Sequence, residues 1–137
     1  MVECMAASDN VVRAGFTPKY KDINTLTSML TYTTAPASEQ KMKPQKFRNC
    51  RYSLLYDPPI EEFSVVRTEL TAGQGEEMEA IEGPSLMIVT TGSGYLISAA
   101  KKGFEIEEGS VWFIGAGEGI ALETRGGMVT HRAFVEA

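Results

Sequence analysis

The chain has 137 residues, of which 43% are hydrophobic, and this is enough for one domain with a buried core. Its net charge is −5, and an acidic protein repels a phosphate backbone, so we expect no nucleic-acid partner. The charge is uneven: residues 1–56 carry 8 Lys and Arg against 4 Asp and Glu, whereas residues 57–137 carry 5 against 14. The cations of the first part can still hold a small anion.

The cysteines and the N-terminus indicate the compartment. Cys4 and Cys50 have no paired or CxxC spacing, which indicates neither a disulfide framework nor a zinc knuckle. The first residues lack a basic stretch followed by an apolar one, and no apolar run approaches the roughly 20 residues of a membrane helix. We therefore expect a cytoplasmic protein with no membrane contact.

The first third of the sequence contains the helical signals. Residues 2–6 predict a short strand, and residues 8–10 predict a polar turn. Asp22 is predicted to be the N-cap of a helix over residues 23–32. The apolar residues of this helix recur at three- and four-residue spacing: Ile23, Leu26 and Leu30. Residues 33–51 are polar and basic with two prolines, so we interpret them as a surface connector.

From residue 52 onward, short apolar runs separated by glycines predict an antiparallel sandwich or barrel. Residues 92–94 (Gly-Ser-Gly) are predicted to form the turn of a hairpin. Residues 104–106 alternate as a half-buried strand does, and residues 111–114 are a near-continuous apolar run, which is typical of an inner strand. Residues 115–119 are glycine-rich but lack the GK[ST] ending of a phosphate loop, so we predict a tight turn.

Several motifs together resemble one known family. The segment VECMAASDNVVRAGFTPKYKD, residues 2–22, resembles the arginine-bearing active-site strand of type I mannose-6-phosphate isomerases, which are zinc-dependent cupin enzymes. The similarity continues through LLYDPPIEEFSVVRTEL and EEGSVWFIGAGEGIAL in family order, with slight departures such as Phe16 where leucine is common. The joint occurrence of SDN, VRAG, TPK and YDPP at these separations is hard to obtain by chance.

The resemblance implies a fold and a domain organisation. The expected fold is mainly β, a cupin-like jelly-roll barrel or sandwich with one short α-helix near the N-terminus. Residues 1–22 correspond to the active-site strand and turn segment of the family's catalytic cupin, residues 23–51 to a helix and basic connector, and residues 52–137 to a C-terminal cupin-like β-domain.

The resemblance also implies where zinc is bound. Family members bind zinc through a Gln-x-His pair, a glutamate and a further histidine, all of which precede the ECMA strand. The present sequence starts one residue before that strand. We therefore expect the metal ligands to lie upstream, with no zinc bound to this chain alone.

The family's functional residues map onto four positions here. Arg13 matches the essential arginine, whose planar guanidinium can stabilise charge developing on two adjacent sugar oxygens. Glu3 and Asp9 correspond to active-site carboxylates near the substrate, and Lys19 corresponds to a pocket lysine that can steer an anionic substrate. From composition alone, each would more often be a solvated surface charge. None of them is assigned as the general base.

Two other residues are candidates for chemistry. His131 is the sole histidine of the sequence and lies in an alternating apolar segment, where a strand surface residue is far commoner than a metal ligand. We predict no catalytic role for it. Cys4 is predicted to be an inert buried thiol.

The resemblance implies the C-terminal part of an aldose–ketose isomerase that interconverts mannose 6-phosphate and fructose 6-phosphate. Its expected partners are a phosphosugar substrate and the upstream N-terminal portion of the same enzyme, and the chain alone is expected to be inactive. The alternative is a non-catalytic cupin module that binds a sugar or a protein partner.

Overall fold

The structure, a computed structural model, describes residues 1–7 and 11–135. This described part is mainly β with one short helix near the N-terminus, as predicted. The elements are α1 (Ile23–Met29), β1 (Gln45–Lys46), β2 (Ser53–Tyr56), β3 (Ser64–Leu70), β4 (Gly75–Met78), β5 (Ser85–Ser98), β6 (Gly103–Glu107), β7 (Val111–Ile114), β8 (Ile120–Glu123) and β9 (Met128–Phe134). No helix in the described ranges has the length and hydropathy that crossing a membrane requires.

The chain forms two compact units. One comprises residues 1–4 with residues 42–137 and contains all the strands of the described ranges, and the other comprises residues 5–41 and contains α1. The β unit is a curled antiparallel sheet of nine strands in the order β1-β2-β3-β9-β5-β8-β4, with β6 and β7 also paired to β5.

Strand β5 is the centre of this unit. Its first half pairs with β7 and β9, and its second half pairs with β6 and β8. Because one continuous strand of 14 residues passes from one set of partners to the other, the sheet curls around an interior.

The hairpin predicted at residues 92–94 is wrong, because these residues lie inside β5. A register shift occurs between Val89 and Thr91, and Gly92 adopts a φ of 78°. A Cβ on Gly92 would overlap the carbonyl oxygen of Gly127, and a Cβ on Gly94 would overlap that of Glu123. The glycines therefore permit a bulge and close strand approach within one strand, where sequence reasoning expected a reversal.

The inner-strand prediction for residues 111–114 is also wrong. Among the described strands, β7 pairs with β5 alone, so it lies at a sheet edge. Trp112 packs against the core and Ile114 is buried in it, whereas Val111 and Phe113 are exposed. By contrast, the tight turn predicted at residues 115–119 is confirmed, with Glu118 N–H donating to the Gly115 carbonyl at 3.3 Å.

The core is built from inward-facing positions of the strands, two residues of the β1–β2 loop and Ile81 of the β4–β5 loop. Its buried hydrophobic members are Phe47, Cys50, Val66, Leu70, Met78, Ile81, Met87, Val89, Leu96, Ile106, Ile114, Ile120, Leu122, Met128 and Phe134. The Phe47 ring lies 5.8 Å from the ring of Phe134. Phe47 and Cys50 were expected on the surface, and they are buried because the loop that carries them packs over the interior.

The N-terminal elements are shorter than predicted. Residues 2–6 form no strand, and α1 ends at Met29 because Leu30 has an extended ψ of 134°. The N-cap prediction is confirmed: the backbone N–H of Thr25 donates to Asp22 Oδ1 at 3.0 Å, and its hydroxyl donates to Oδ2 at 2.8 Å. None of the residues of α1 is buried.

A buried carboxylate ties the β1–β2 loop to β4. Glu76 accepts hydrogen bonds from the backbone N–H groups of Arg51 and Tyr52 and from the Ser53 hydroxyl. The Ser53 hydroxyl also lies 2.8 Å from that of Thr68. These bonds replace the water that the carboxylate loses on burial, so Glu76 stabilises the position of the loop.

Arg132 is a buried cation on β9. Its side chain is 2% exposed, and its Nε donates to Ser85 Oγ at 2.9 Å. Within the described residues, Nη1 and Nη2 have no hydrogen-bond partner. Burial, with a smaller contribution from the charge of Arg48, lowers the pKa of Arg132 to about 10. Burial therefore disfavours the charged form of the guanidinium. This charged form is still the one present at neutral pH, so it costs stability in the folded state.

We predict that Gly92→Ala lowers the free energy of unfolding by about 2 kcal/mol or more, because alanine disfavours a positive φ and its Cβ meets the Gly127 carbonyl. Gly115→Ala is the matched control, since a Cβ there has open space around it, and its effect should stay within about 0.5 kcal/mol. Urea unfolding measures both. Equal stability of the two variants would contradict the close approach described for β5.

We predict that Arg132→Met raises the free energy of unfolding by about 1–3 kcal/mol, because it removes an incompletely paired buried charge. Ser85→Ala should lower it by about 1–3 kcal/mol, because it removes the hydroxyl that accepts from the guanidinium. In the Arg132→Met background, Ser85→Ala should lose most of that effect. A double-mutant cycle in urea checks all three values, and additive effects would show that the two side chains do not interact.

Candidate functional site

The segment that carries the predicted site residues is anchored by local hydrogen bonds. Asp22 caps α1, and the backbone N–H of Thr25 holds the pKa of the Asp22 carboxyl below its usual range. Gly15 has a φ of 72°, and its carbonyl accepts from Lys21 Nζ at 3.1 Å. These contacts define the turn between Arg13 and the helix.

Arg13 and Lys19 both lie in the unit of residues 5–41. Arg13 is half-buried, and Lys19 is exposed with its backbone N–H donating to Thr17 Oγ1 at 3.2 Å. A partly desolvated guanidinium presents several donors in one plane, which is suited to binding two neighbouring oxygens of a polyol or an anion. An exposed lysine is suited to attracting an anionic ligand.

Of the two predicted carboxylates, the structure describes one. Glu3 is exposed and belongs to the unit that contains the strands. Asp9 lies outside the described residues. The convergence of Glu3, Asp9, Arg13 and Lys19 on one substrate stays a prediction.

The described residues offer no metal centre. Within residues 1–7 and 11–135, no group of three or more His, Cys, Asp or Glu side chains could hold a metal ion. The residues present therefore do not fit zinc by themselves, and no chemical step is assigned to a metal here.

A feature that sequence reasoning missed is a cavity on the outside of the β sheet. It has a volume of about 350 Å³ and is mainly apolar, with Arg67 and His131 among its walls. The lining residues are Val2, Cys4, Met42, Tyr56, Pro58, Phe63, Val65, Arg67 and His131. The two-residue alternation of β3 and β9, which puts Val65, Arg67 and His131 on one face, is the signal that could have found it.

The polar groups of this cavity are suited to binding rather than to acid–base chemistry. His131 Nδ1 lies 3.1 Å from Thr90 Oγ1, and burial together with the charge of Arg67 lowers the pKa of His131, so the neutral imidazole is favoured. Arg67 is paired with Glu69 at 2.8 Å. Cys4 is half-buried rather than fully buried, and desolvation raises the pKa of its thiol, which disfavours the nucleophilic thiolate.

Comparison with known proteins relates this chain to one enzyme family. The family model "Phosphomannose isomerase type I C-terminal" matches residues 53–99. The chain is 47% identical to mannose-6-phosphate isomerase from Cryptococcus neoformans, with 100% of this chain and 32% of that protein covered. It is 48% identical to mannose-6-phosphate isomerase from Saccharomyces cerevisiae, with 99% of this chain and 33% of that protein covered.

Solved structures give the same relationship. Mannose 6-phosphate isomerase from Salmonella typhimurium, bound to its substrate fructose 6-phosphate and to zinc, is 27% identical with a TM-score of 0.75, covering 97% of this chain and 32% of that one. A zinc-bound holo mannose 6-phosphate isomerase is 25% identical with a TM-score of 0.74, covering 94% of this chain and 31% of that one. The predicted cupin-like fold is confirmed by these neighbours.

The chain spans about a third of the length of the relatives that it matches. Its similarity to them extends over nearly all of its own residues, including the segment around Arg13. The chain therefore belongs to the type I mannose-6-phosphate isomerase family and corresponds to its C-terminal portion.

Proposed function

We propose that this chain is the C-terminal part of a zinc-dependent isomerase that interconverts mannose 6-phosphate and fructose 6-phosphate. The observation that carries the proposal is the 47% identity to a mannose-6-phosphate isomerase along the full chain. The related enzyme from Salmonella typhimurium, which was solved with its phosphosugar substrate and zinc, supports the substrate class. Cys4 and Cys50 are both free thiols, and the compartment that we propose is the reducing cytoplasm.

Isomerisation moves a proton between C1 and C2 of the open sugar and develops negative charge on their oxygens. In the proposed mechanism, Arg13 donates hydrogen bonds to those oxygens and stabilises this charge as it forms. Lys19 attracts the phosphosugar, while Glu3 and Asp9 accept from its hydroxyl groups. A zinc ion would supply Lewis-acid polarisation of the sugar oxygens, and we propose that its ligands belong to the upstream polypeptide.

The proposed distribution of site residues between this chain and the upstream polypeptide has two consequences. The chain is inactive alone, since the metal ligands and part of the pocket lie upstream, and the upstream portion of the enzyme is its partner. Residues 1–22 are proposed to complete the catalytic cupin, with residues 23–51 as helix and connector and residues 52–137 as the C-terminal β-domain.

We predict that the chain shows no isomerase turnover alone, with or without zinc. Turnover should appear when the upstream two thirds of the Saccharomyces cerevisiae relative is joined to its N-terminus and zinc is added. A coupled assay that detects fructose 6-phosphate measures this. Zinc-dependent turnover by the chain alone would contradict the proposed location of the ligands, and a folded, zinc-loaded fusion without turnover would favour the non-catalytic module.

In the active fusion, Arg13→Ala should lower kcat by about 100-fold or more, because it removes donors that act on developing charge. Arg13→Lys should restore only a small part of the rate, because an ammonium lacks the planar fork. Lys43→Ala is the matched control, since Lys43 is an exposed cation of the β unit and should leave kcat unchanged. Equal kcat values for Arg13→Ala and Lys43→Ala would remove Arg13 from the mechanism.

A further inference from the structure

The outer side of the sheet carries two cross-strand rows of side chains that point away from the core. We call these ten positions the outer face. The first row is Leu54, Arg67, His131, Ile88 and Val111, and the second is Tyr56, Val65, Ala133, Leu86 and Phe113. In both rows the residues are direct neighbours across β2, β3, β9, β5 and β7. Their sequence neighbours Ser53, Val66, Arg132, Met87 and Ile114 are buried on the opposite side.

The composition of the outer face is unusual for a sheet that faces water. An antiparallel sheet with one solvated side normally alternates apolar and polar residues, yet here all positions except Arg67 and His131 are apolar or aromatic. Phe113 is 70% exposed, Val111 63% and Leu86 56%. A contiguous apolar surface of this kind indicates an interaction site.

The polar residues of the outer face are compatible with burial under a partner. Arg67 already pairs with Glu69, so covering it does not isolate a charge. His131 contacts the Thr90 hydroxyl, and its favoured neutral form costs less to desolvate than an imidazolium. A covering surface therefore needs no matching charge at these two positions.

Two cavities indent the outer face. The cavity of about 350 Å³ described above opens at the Arg67 and His131 end. A second, of about 250 Å³, is bordered by Phe63, Pro84, Leu86, Phe113 and Ala133. Together they can receive protruding apolar side chains.

The chain itself indicates what covers this face. Val2 and Cys4 line the first cavity and belong to the same compact unit as the sheet, so the polypeptide reaches the outer face at its first residues. In the Cryptococcus neoformans and Saccharomyces cerevisiae relatives, about two thirds of the protein lies outside the aligned region. A polypeptide that continues upstream of Val2 therefore begins on this face.

We propose that the outer face is the surface on which the upstream portion of the isomerase docks, through apolar contacts that continue from Val2 and Cys4 across β3, β9 and β5 to Phe113 on β7. This proposal rests on the proposed function for the existence of the upstream portion. It goes further by assigning the surface and the chemistry of the contact.

The test is thiol labelling of Phe113→Cys in the isolated chain and in the fusion with the upstream part of the Saccharomyces cerevisiae relative. Phe113→Cys should react with a maleimide freely in the isolated chain and roughly tenfold or more slowly in the fusion, because docking removes it from solvent. Ala100→Cys is the matched control, since Ala100 is exposed in the β5–β6 turn, away from the outer face, and should react equally in both. Peptide mass spectrometry separates these labels from Cys4 and Cys50.

A second variant addresses the contact chemistry. Val111→Glu should leave the melting temperature of the isolated chain unchanged, because Val111 is exposed there, and should restore fast labelling of Phe113→Cys in the fusion. Labelling of Phe113→Cys at equal rates in the chain and the fusion would overturn the proposal. Protection in the isolated chain that rises with its concentration would assign the face to a second copy instead.

The readout needs no turnover, so it separates this proposal from the proposed function. A protected but inactive fusion would support the docking surface and contradict the isomerase proposal. An active fusion with an unprotected outer face would support the isomerase proposal and contradict the docking surface.

Discussion

The β unit depends on the passage of β5 through both halves of the curled sheet. This one strand pairs with four others, and the pairing is possible because the backbone of β9 and the end of β8 approach it within the space that a side chain would occupy. Gly92 and Gly94 are therefore required by the contact itself and not by a turn. The loss of conformational freedom at these glycines is offset by the many ladder hydrogen bonds that β5 makes with its neighbours.

Inside the sheet, polar groups fix positions that apolar packing would leave adjustable. Glu76 joins β4 to the backbone after β1, and this holds the loop that carries Phe47 and Cys50 over the core. Arg132 is held by Ser85 on the neighbouring strand. A buried carboxylate with several donors specifies one loop position, whereas the less completely bonded guanidinium costs stability. Within the same interior, Glu76 thus stabilises the fold, whereas Arg132 lowers its stability.

The apolar outer face and the segment that contains Arg13 have different roles in the proposed enzyme. The segment carries charged groups that we propose act on a phosphosugar, and its geometry is set by local bonds around Gly15 and Asp22. The outer face supplies apolar area and neutralised polar groups, which are suited to a protein surface rather than to a charged sugar. Both features accord with our proposal that this chain is one part of a larger enzyme.

Sequence analysis was sufficient for the features that depend on nearby residues: the Asp22 cap, the alternation of residues 104–106, the turn at residues 115–119 and the family motifs around Arg13. These follow from hydrogen bonds or periodicities that span only a few positions. It misplaced Gly92 and Gly94, since a glycine that adopts positive φ serves a turn and a bulge equally well. It also placed Val111 and Phe113 inside, since an apolar run looks the same whether it is covered by its own domain or exposed on an outer face. These cases required the three-dimensional fold, because strand partners and the two sides of a sheet are set by residues far apart in the chain.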